Sequence, residues 1–370
     1  MSSHHQTKIA IVGLANLYPD ADTPKAFWNN LLDKKDSRTT LTAEKLGADP
    51  TAYQGQQGES DRFYCDKGGY VQNFTFDASG YRLPAESFAG LDDSFLWAID
   101  TSRKALADAG IAPDANVLER TGVVMGALSF PTTRSNDLFL PLYHSAVEKA
   151  LQTTLANPDF LLNSSDESER IVNPANGVAA HNASKLIADA LGLGSTQLSL
   201  DAACASSVYS LKLACDYLNT GKADMMLAGA VSGADPFFIN MGFSIFHAYP
   251  DHGVSVPFDS NSKGLFAGEG AGVLVLKRLE DAERDGDHIH AVVNGIGLSN
   301  DGRGQFVLSP NSKGQVQAFE RAYEASDLSP ESIEVIECHA TGTPLGDKVE
   351  LTSMERFFAD KLNDSQVPLI

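Results

Sequence analysis

The sequence predicts an α/β protein built from two similar halves, and three observations carry that prediction. Residues 8–15 and 225–231 are apolar runs of strand length, suited to buried strands of a parallel or mixed sheet. Between such runs lie segments with apolar residues at helical spacing. Near residue 288 the order of strand, helix and strand begins again. The division places a first half at residues 1–287 and the start of a second, incomplete half at 288–370. At 370 residues and 43% hydrophobic, the chain can bury a core of that size.

Taken in order, residues 8–15 end in Gly13, Leu14 and Ala15, without the Gly-x-Gly-x-x-Gly pattern of a dinucleotide site. Thr23-Pro24 then caps a helix with Phe27, Trp28, Leu31 and Leu32 on one face. Residues 34–95 are irregular, with Gly68-Gly69-Tyr70-Val71 and Phe74 to Phe76 placed as a surface hairpin or covering loop. A helix follows at 95–109, stopped by Gly110, and then a strand at 122–126. Residues 128–175 form a long polar segment with a helix at 145–155, and a piece of that length is usually functional or part of an interface.

Regular alternation returns with a helix at 183–191 and a strand at 197–200, which runs into Cys204. The next helix places Val208, Leu211, Ala214, Cys215 and Leu218 on one side and closes at Gly221. Beyond the strand at 225–231, Met241, Phe243, Phe246 and Tyr249 are expected to line an apolar pocket. A glycine-punctuated turn at 264–272 feeds a further strand, and 277–287 forms a short helix and linker. Strand 290–298, helix 314–325 and strand 335–338 open the second half.

The formal net charge of -20 disfavours nucleic acid and anionic membrane as partners. No apolar run reaches the length of a membrane span, and no signal peptide precedes the first strand. The four cysteines, Cys65, Cys204, Cys215 and Cys338, form neither a disulfide scaffold nor a metal cluster, so a reducing cytoplasm is expected and no metal site.

Two stretches carry chemistry. In Asp201-Ala202-Ala203-Cys204-Ala205-Ser206-Ser207 a strand turns directly into a helix, with small residues around one thiol. A thiol at a helix N-terminus is favoured as thiolate. In Glu337-Cys338-His339-Ala340-Thr341-Gly342-Thr343 a histidine ends an apolar run beside two threonines. Imidazole can activate a cysteine as base or as cation. Each feature has a plainer alternative: a lone cysteine is most often a packed thiol, and a lone histidine is most often structural. Cys65, Cys215 and Cys338 keep the plainer reading, as do His144, His181, His247, His252, His288 and His290. Glycines 264–272 lack a following Gly-Lys-Ser/Thr and serve tight turns instead of a phosphate cradle.

Taken together, the motifs resemble the β-ketoacyl synthases, the condensing enzymes of fatty-acid and polyketide assembly. Asp201 to Ser207 resembles their nucleophile motif, and His339-Ala340-Thr341-Gly342-Thr343 the first of their two histidine motifs. Ile9 to Gly13, Pro257-Phe258-Asp259, Gly268-Glu269-Gly270-Ala271-Gly272 and Asn300-Asp301-Gly302 match in the family's order. Gly68-Gly69-Tyr70 and Phe76-Asp77-Ala78 resemble the multidomain, polyketide-like branch. Residues 63–70, 213–231 and 337–347 resemble the bacterial polyunsaturated fatty acid synthases within it.

The resemblance implies a thiolase-like fold, two similar halves in an α-β-α-β-α stack, and decarboxylative Claisen condensation. Cys204 would take an acyl group from the phosphopantetheine of an acyl carrier protein, with no other cofactor bound. Malonyl-carrier protein would then lose CO₂ and attack the thioester, elongating a fatty acid or polyketide chain. His339 would polarise the malonyl thioester carbonyl, so its loss is expected to leave acylation largely intact. Thr341 and Thr343 would hold the pantetheine arm, Asp347 and Glu350 would support the histidine loop, and the Cys204 N–H would contribute to an oxyanion hole. A homodimer, or pairing with a chain-length factor, follows from the same resemblance, with 128–180 and the strand before Cys204 as the dimer face.

The sequence also departs from the family pattern. Val256 stands where an arginine is usual, and Leu91-Asp92-Asp93 replaces the usual Asp-Pro-Gln-Gln-Arg, which puts substrate and carrier contacts in question and not the chemistry. The second histidine motif, its lysine and a Gly-Phe-Gly loop are expected beyond residue 370, so this chain alone is expected to be weakly active or inactive. Three alternatives compete with the condensing-enzyme reading. A chain-length-factor-like decoy normally lacks the cysteine, and a thiolase acting on coenzyme A esters does not fit the His-Ala-Thr-Gly-Thr loop. A papain-like hydrolase fits the 135-residue Cys204–His339 spacing but not the local signature.

Overall fold

The computed structural model describes residues 8–162, 171–177, 179–251, 253–304, 309–362 and 368–369, apart from the side chains of 179–181. The elements are β1 (Ile9–Leu17), α1 (Pro24–Leu32), β2 (Thr39–Thr40), α2 (Ala43–Leu46), β3 (Lys67–Gly68), α3 (Asp93–Asp108), β4 (Thr121–Ala127), α4 (Thr133–Thr154) and α5 (Ala179–Leu191). They continue with β5 (Gln197–Leu200), α6 (Ser206–Asn219), β6 (Met225–Ser232), α7 (Pro236–Ile245), β7 (Gly270–Arg278), α8 (Leu279–Asp285), β8 (Ala291–Val293), α9 (Ser312–Ser326) and α10 (Pro344–Phe358).

Six strands form one mixed sheet in the order β5-β4-β6-β7-β1-β8. Strand β4 runs parallel to β5 and β6, whereas β7 is antiparallel to both β6 and β1. The period of two divides each strand between two cores. Ala10, Val12, Val123, Met125, Met225, Leu227, Val273 and Val275 face the core that holds α3 and α5. Ile9, Val124, Met226, Ala228 and Leu276 face the other, against Ala214, Cys215 and Leu218 of α6. Ile296 packs against this same cluster, and Tyr209 Oη of α6 donates to the Ser299 carbonyl. Helix α6 therefore lies between the sheet and the segment that leads to α9. Among the described residues no helix is long and apolar enough to cross a membrane.

The covering loop is fastened to the turn before β7. Gly69 N donates to the Ala267 carbonyl at 2.9 Å, and Glu269 N donates to the Gly69 carbonyl at 2.8 Å. The Glu269 carboxylate accepts from Val71 N and meets Lys45 Nζ at 2.9 Å.

Several sequence expectations are corrected. Helix α4 spans Thr133–Thr154 and not only 145–155, because Thr132 and Ser135 form a capping box at its start and the helix continues through Pro141. Strand 290–298 shrinks to Ala291–Val293 on the sheet edge beside β1. The reason is α9: a Cβ on Gly297 would stand 2.0 Å from the Ala318 carbonyl, so these glycines admit a helix against the backbone. Among the described residues, 335–338 make only an isolated bridge, Val335 to Leu369, in place of the expected strand. Phe27, Trp28, Leu31 and Leu32 of α1 are 40–63% exposed, so that apolar face is not part of the core. Val208 likewise faces outward. Tyr249 is 1% exposed and packed among the rings of Tyr64, Phe243 and Phe266, so it fills space in the interior, while Phe246 is exposed.

Candidate active site

Strand β5 ends at Leu200, and α6 begins at Ser206. Cys204 sits within that interval, in a single 3-10 turn, Ala203–Ala205, and is exposed. Ala203 takes φ +51°, a left-handed conformation that L residues avoid. Asp201 accepts from Ala203 N at 2.9 Å and from Ser129 N at 2.8 Å. Ser206 Oγ accepts from Ala202 N and donates to the Ala203 carbonyl at 2.7 Å.

The histidine loop is held from behind by α10. Glu350 accepts from His339 N at 2.7 Å and from Ala340 N at 2.9 Å, one carboxylate oxygen for each. Asp347, which is buried, accepts from Gly342 N at 2.9 Å and from Phe258 N at 2.7 Å. It thereby joins the histidine loop to the Pro257-Phe258-Asp259 turn, where Phe258 also has a positive φ. Ser262 Oγ donates to the Gly342 carbonyl. Gly342, at φ +76°, has no room for a side chain, since a Cβ would lie 2.6 Å from the Gly264 carbonyl. Thr341 and Thr343 bring their hydroxyls to 2.9 Å of each other.

Between the two loops, the His339 imidazole stands beside the Cys204 thiol, within reach of its sulfur. Hydrogen bonding toward that imidazole lowers the thiol below its ordinary value against the opposing effect of burial, and the charge of His339 adds to it. The same interaction raises the imidazole above its usual value, helped by the carboxylates of Glu350 and Asp347. The pair therefore favours thiolate and imidazolium. The sequence credits the helix N-terminus with this effect, whereas the larger cause is the histidine. The other thiols move in the opposite direction. Burial raises Cys65 and Cys338 and pushes Cys215 up to about 12.

The six predicted site residues thus lie in two adjoining loops and the first turns of α10 behind them. Sequence reasoning assigns no part to Asp201, Ser206, Phe258 or Ser262, although its motifs contain three of them. An Asp two residues before a turn N–H is a legible signal, whereas the positive φ at Ala203 is not. His290 bonds Asp108 at 2.9 Å away from this site, and His252 and the side chain of His181 lie outside the described residues. Among the described residues, no group of three or more His, Cys, Asp or Glu could hold a metal ion.

Comparison with known families agrees with this geometry. The model described as "Beta-ketoacyl synthase, N-terminal domain" matches residues 6–282, and "Beta-ketoacyl synthase, C-terminal domain" matches 290–370. The chain belongs to the β-ketoacyl synthase family. This ketosynthase is 34% identical over 362 residues to one polyunsaturated fatty acid synthase polypeptide of Thraustochytrium sp. (strain ATCC 26185 / S-3), covering 97% of this chain and 17% of that protein. It is 30% identical over 359 residues to a second polypeptide of the polyunsaturated fatty acid synthase from the same organism, covering 95% of this chain and 13% of that one. The ketosynthase chain therefore spans only a small part of these relatives.

Among solved structures, it matches the PfaC keto synthase–chain length factor with a TM-score of 0.91 at 55% identity, over 96% of this chain and 38% of that one. The ketosynthase from module 6 of the bacillaene synthase from Bacillus subtilis 168 matches with a TM-score of 0.78 at 26% identity, over 96% of this chain and 55% of that one. Its fold is accordingly the thiolase-like fold of ketosynthases.

Proposed function

We propose that this ketosynthase performs decarboxylative Claisen condensation on carrier-bound acyl chains, in polyunsaturated fatty acid synthesis. The observation that carries the reading is the meeting of the family's two motif loops, which sets the His339 imidazole beside the Cys204 thiol. The Cys204 thiolate attacks the thioester carbonyl of an acyl chain carried on phosphopantetheine. A carbon–sulfur bond forms on Cys204, the carrier sulfur leaves, and the His339 imidazolium supplies its proton. In the second step, the malonyl thioester loses CO₂ and the electrons of the broken C–C bond pass toward its carbonyl, which His339 polarises. The resulting carbanion equivalent attacks the Cys204 thioester, and Cys204 leaves as thiolate. The Cys204 N–H stabilises the oxyanion in both transfers. Thr341 and Thr343 hold the pantetheine arm, while Asp347 and Glu350 fix the loop that aims His339.

Retention of Cys204 favours this reading over a chain-length-factor-like decoy, and the His-Ala-Thr-Gly-Thr loop favours it over a thiolase acting on coenzyme A esters. The proposal extends to an acyl carrier protein as partner, a cytoplasmic setting, and pairing with a second copy or a chain-length factor. The exposed Leu140, Leu142, Tyr143 and Val147 of α4 support such pairing, within a proposed dimer face of which 163–170 and 178 lie outside the described residues. The halves are proposed at 1–287 and 288–370, supported by the two family-model boundaries.

The test is acyl loading in the full-length protein with a radiolabelled acyl donor. Cys204→Ala should abolish it, and label retained by that variant would refute the nucleophile assignment. His339→Ala should remove malonyl decarboxylation. Because His339 also holds the thiol, loading should slow as well, by roughly tenfold, where the sequence alone suggests little change.

A further inference from the structure

The turn that carries Cys204 is fixed more tightly than a strand-to-helix connection requires. Side chains reach three consecutive backbone groups: Ala202 N and Ala203 N donate to side-chain oxygens, and the Ala203 carbonyl accepts from Ser206 Oγ as well as from the Ser206 backbone N–H. Two residues supply all of these bonds, Asp201 and Ser206, and Asp201 also ties the turn to Ser129 beyond β4. Ser206 is buried against β4 at a point where Gly126 leaves space, since a Cβ there would lie 2.7 Å from the Ser206 Cβ. The residue enclosed by these bonds is Ala203, the one left-handed residue of the turn, and Cys204 follows it directly. Left-handed backbone is disfavoured for alanine, so it persists only where the surroundings over-determine it.

We infer that Asp201 and Ser206 are positioning residues for Cys204, holding Ala203 left-handed so that the thiol meets His339. The inference rests on reading Cys204 as the nucleophile. Neither residue touches substrate in this scheme, and both act through the peptide on either side of Ala203. When the turn relaxes, Ala203 reverts to negative φ and Cys204 swings away from the imidazole. The charged and titratable groups around the pair are His339 facing the thiol, Asp201 within the turn, and Glu350 and Asp347 of α10 behind the imidazole.

The experiment measures iodoacetamide alkylation of Cys204, quantified on its own peptide, across pH in this chain. The variants are Asp201→Ala, Ser206→Ala and Asp201→Ala combined with Ala203→Gly. Asp201→Ala should slow alkylation at neutral pH by roughly tenfold and shift the profile up toward an ordinary thiol. Adding Ala203→Gly should recover about fivefold, because glycine takes positive φ without strain. A merely structural role for Asp201 predicts no such rescue. If Asp201→Ala does not fold, Ser206→Ala carries the same expected shift. An unchanged Cys204 profile in a folded variant, or a double variant as slow as the single one, would overturn the inference. Alkylation needs no turnover, so failure of acyl loading with this pattern intact would count against the ketosynthase mechanism and leave the positioning role standing.

Discussion

At the scale of single residues, this site depends on a thiol and an imidazole that each favour the other's charged form. The Cys204 thiol is depressed by His339, so its thiolate survives below the ordinary thiol range and is lost as pH falls through the depressed value. His339 is raised, so its charge persists above the usual imidazole value and is lost as pH rises through the raised one. Limited iodoacetamide treatment at neutral pH should therefore label Cys204 ahead of Cys65, Cys215 and Cys338, by roughly tenfold or more. His339→Gln should remove most of that preference. Equal labelling of Cys204 and Cys65 in the unmodified protein would show that His339 does not set reactivity. The sequence names both residues because their motifs are contiguous. It cannot show that they touch, because 135 residues separate them.

At the scale of elements, the long apolar runs are legible and the short or glycine-rich ones are not. Strands β4 and β6 announce themselves because both faces are buried, so every position is apolar or small. Strand β8 reads too long because Gly295 and Gly297 belong to a helix contact, which periodicity cannot distinguish from a strand interior. Helix α4 reads too short because its first turn is polar and Pro141 interrupts the apolar stretch that follows.

A charged element end shows the same dependence on context. Lys277 reads as part of a linker, yet it lies in β7 with its side chain 8% exposed, between Asp285 at 2.6 Å and Asp287 at 2.5 Å. It staples the end of α8 to the sheet. Lys277→Ala should destabilise the protein by about 1–3 kcal/mol, since it strands two carboxylates of which only one is well exposed. Urea unfolding checks this, and a loss below about 0.5 kcal/mol would mean that solvent already screens the pair.

At the scale of the whole molecule, a formal net charge of -20 leaves the fold working against its own field. Many carboxylates are matched locally, as in the network of Arg120, Asp224, Arg278, Asp281 and Arg284 at the end of β7, but the excess is spread over the surface. Raising salt from about 10 to about 150 mM should therefore raise the melting temperature by a few degrees, about 2–5 °C, through screening. A melting temperature that falls with salt would mean that the local ion pairs outweigh the net repulsion.

The sequence by itself determined the α/β class, the buried strands β1, β4, β5, β6 and β7 with helices α3, α5 and α6, and the two loops that carry Cys204 and His339. Those properties follow from local pattern: hydrophobic period, turn residues and contiguous motifs. Only the tertiary structure decided that the imidazole stands beside the thiol, that two α10 carboxylates hold the histidine loop, and that Ala203 is left-handed between the side-chain bonds of Asp201 and Ser206. Such contacts join residues far apart in the chain or depend on backbone angles. They are fixed by how the sheet and its helices stack, which no local pattern encodes.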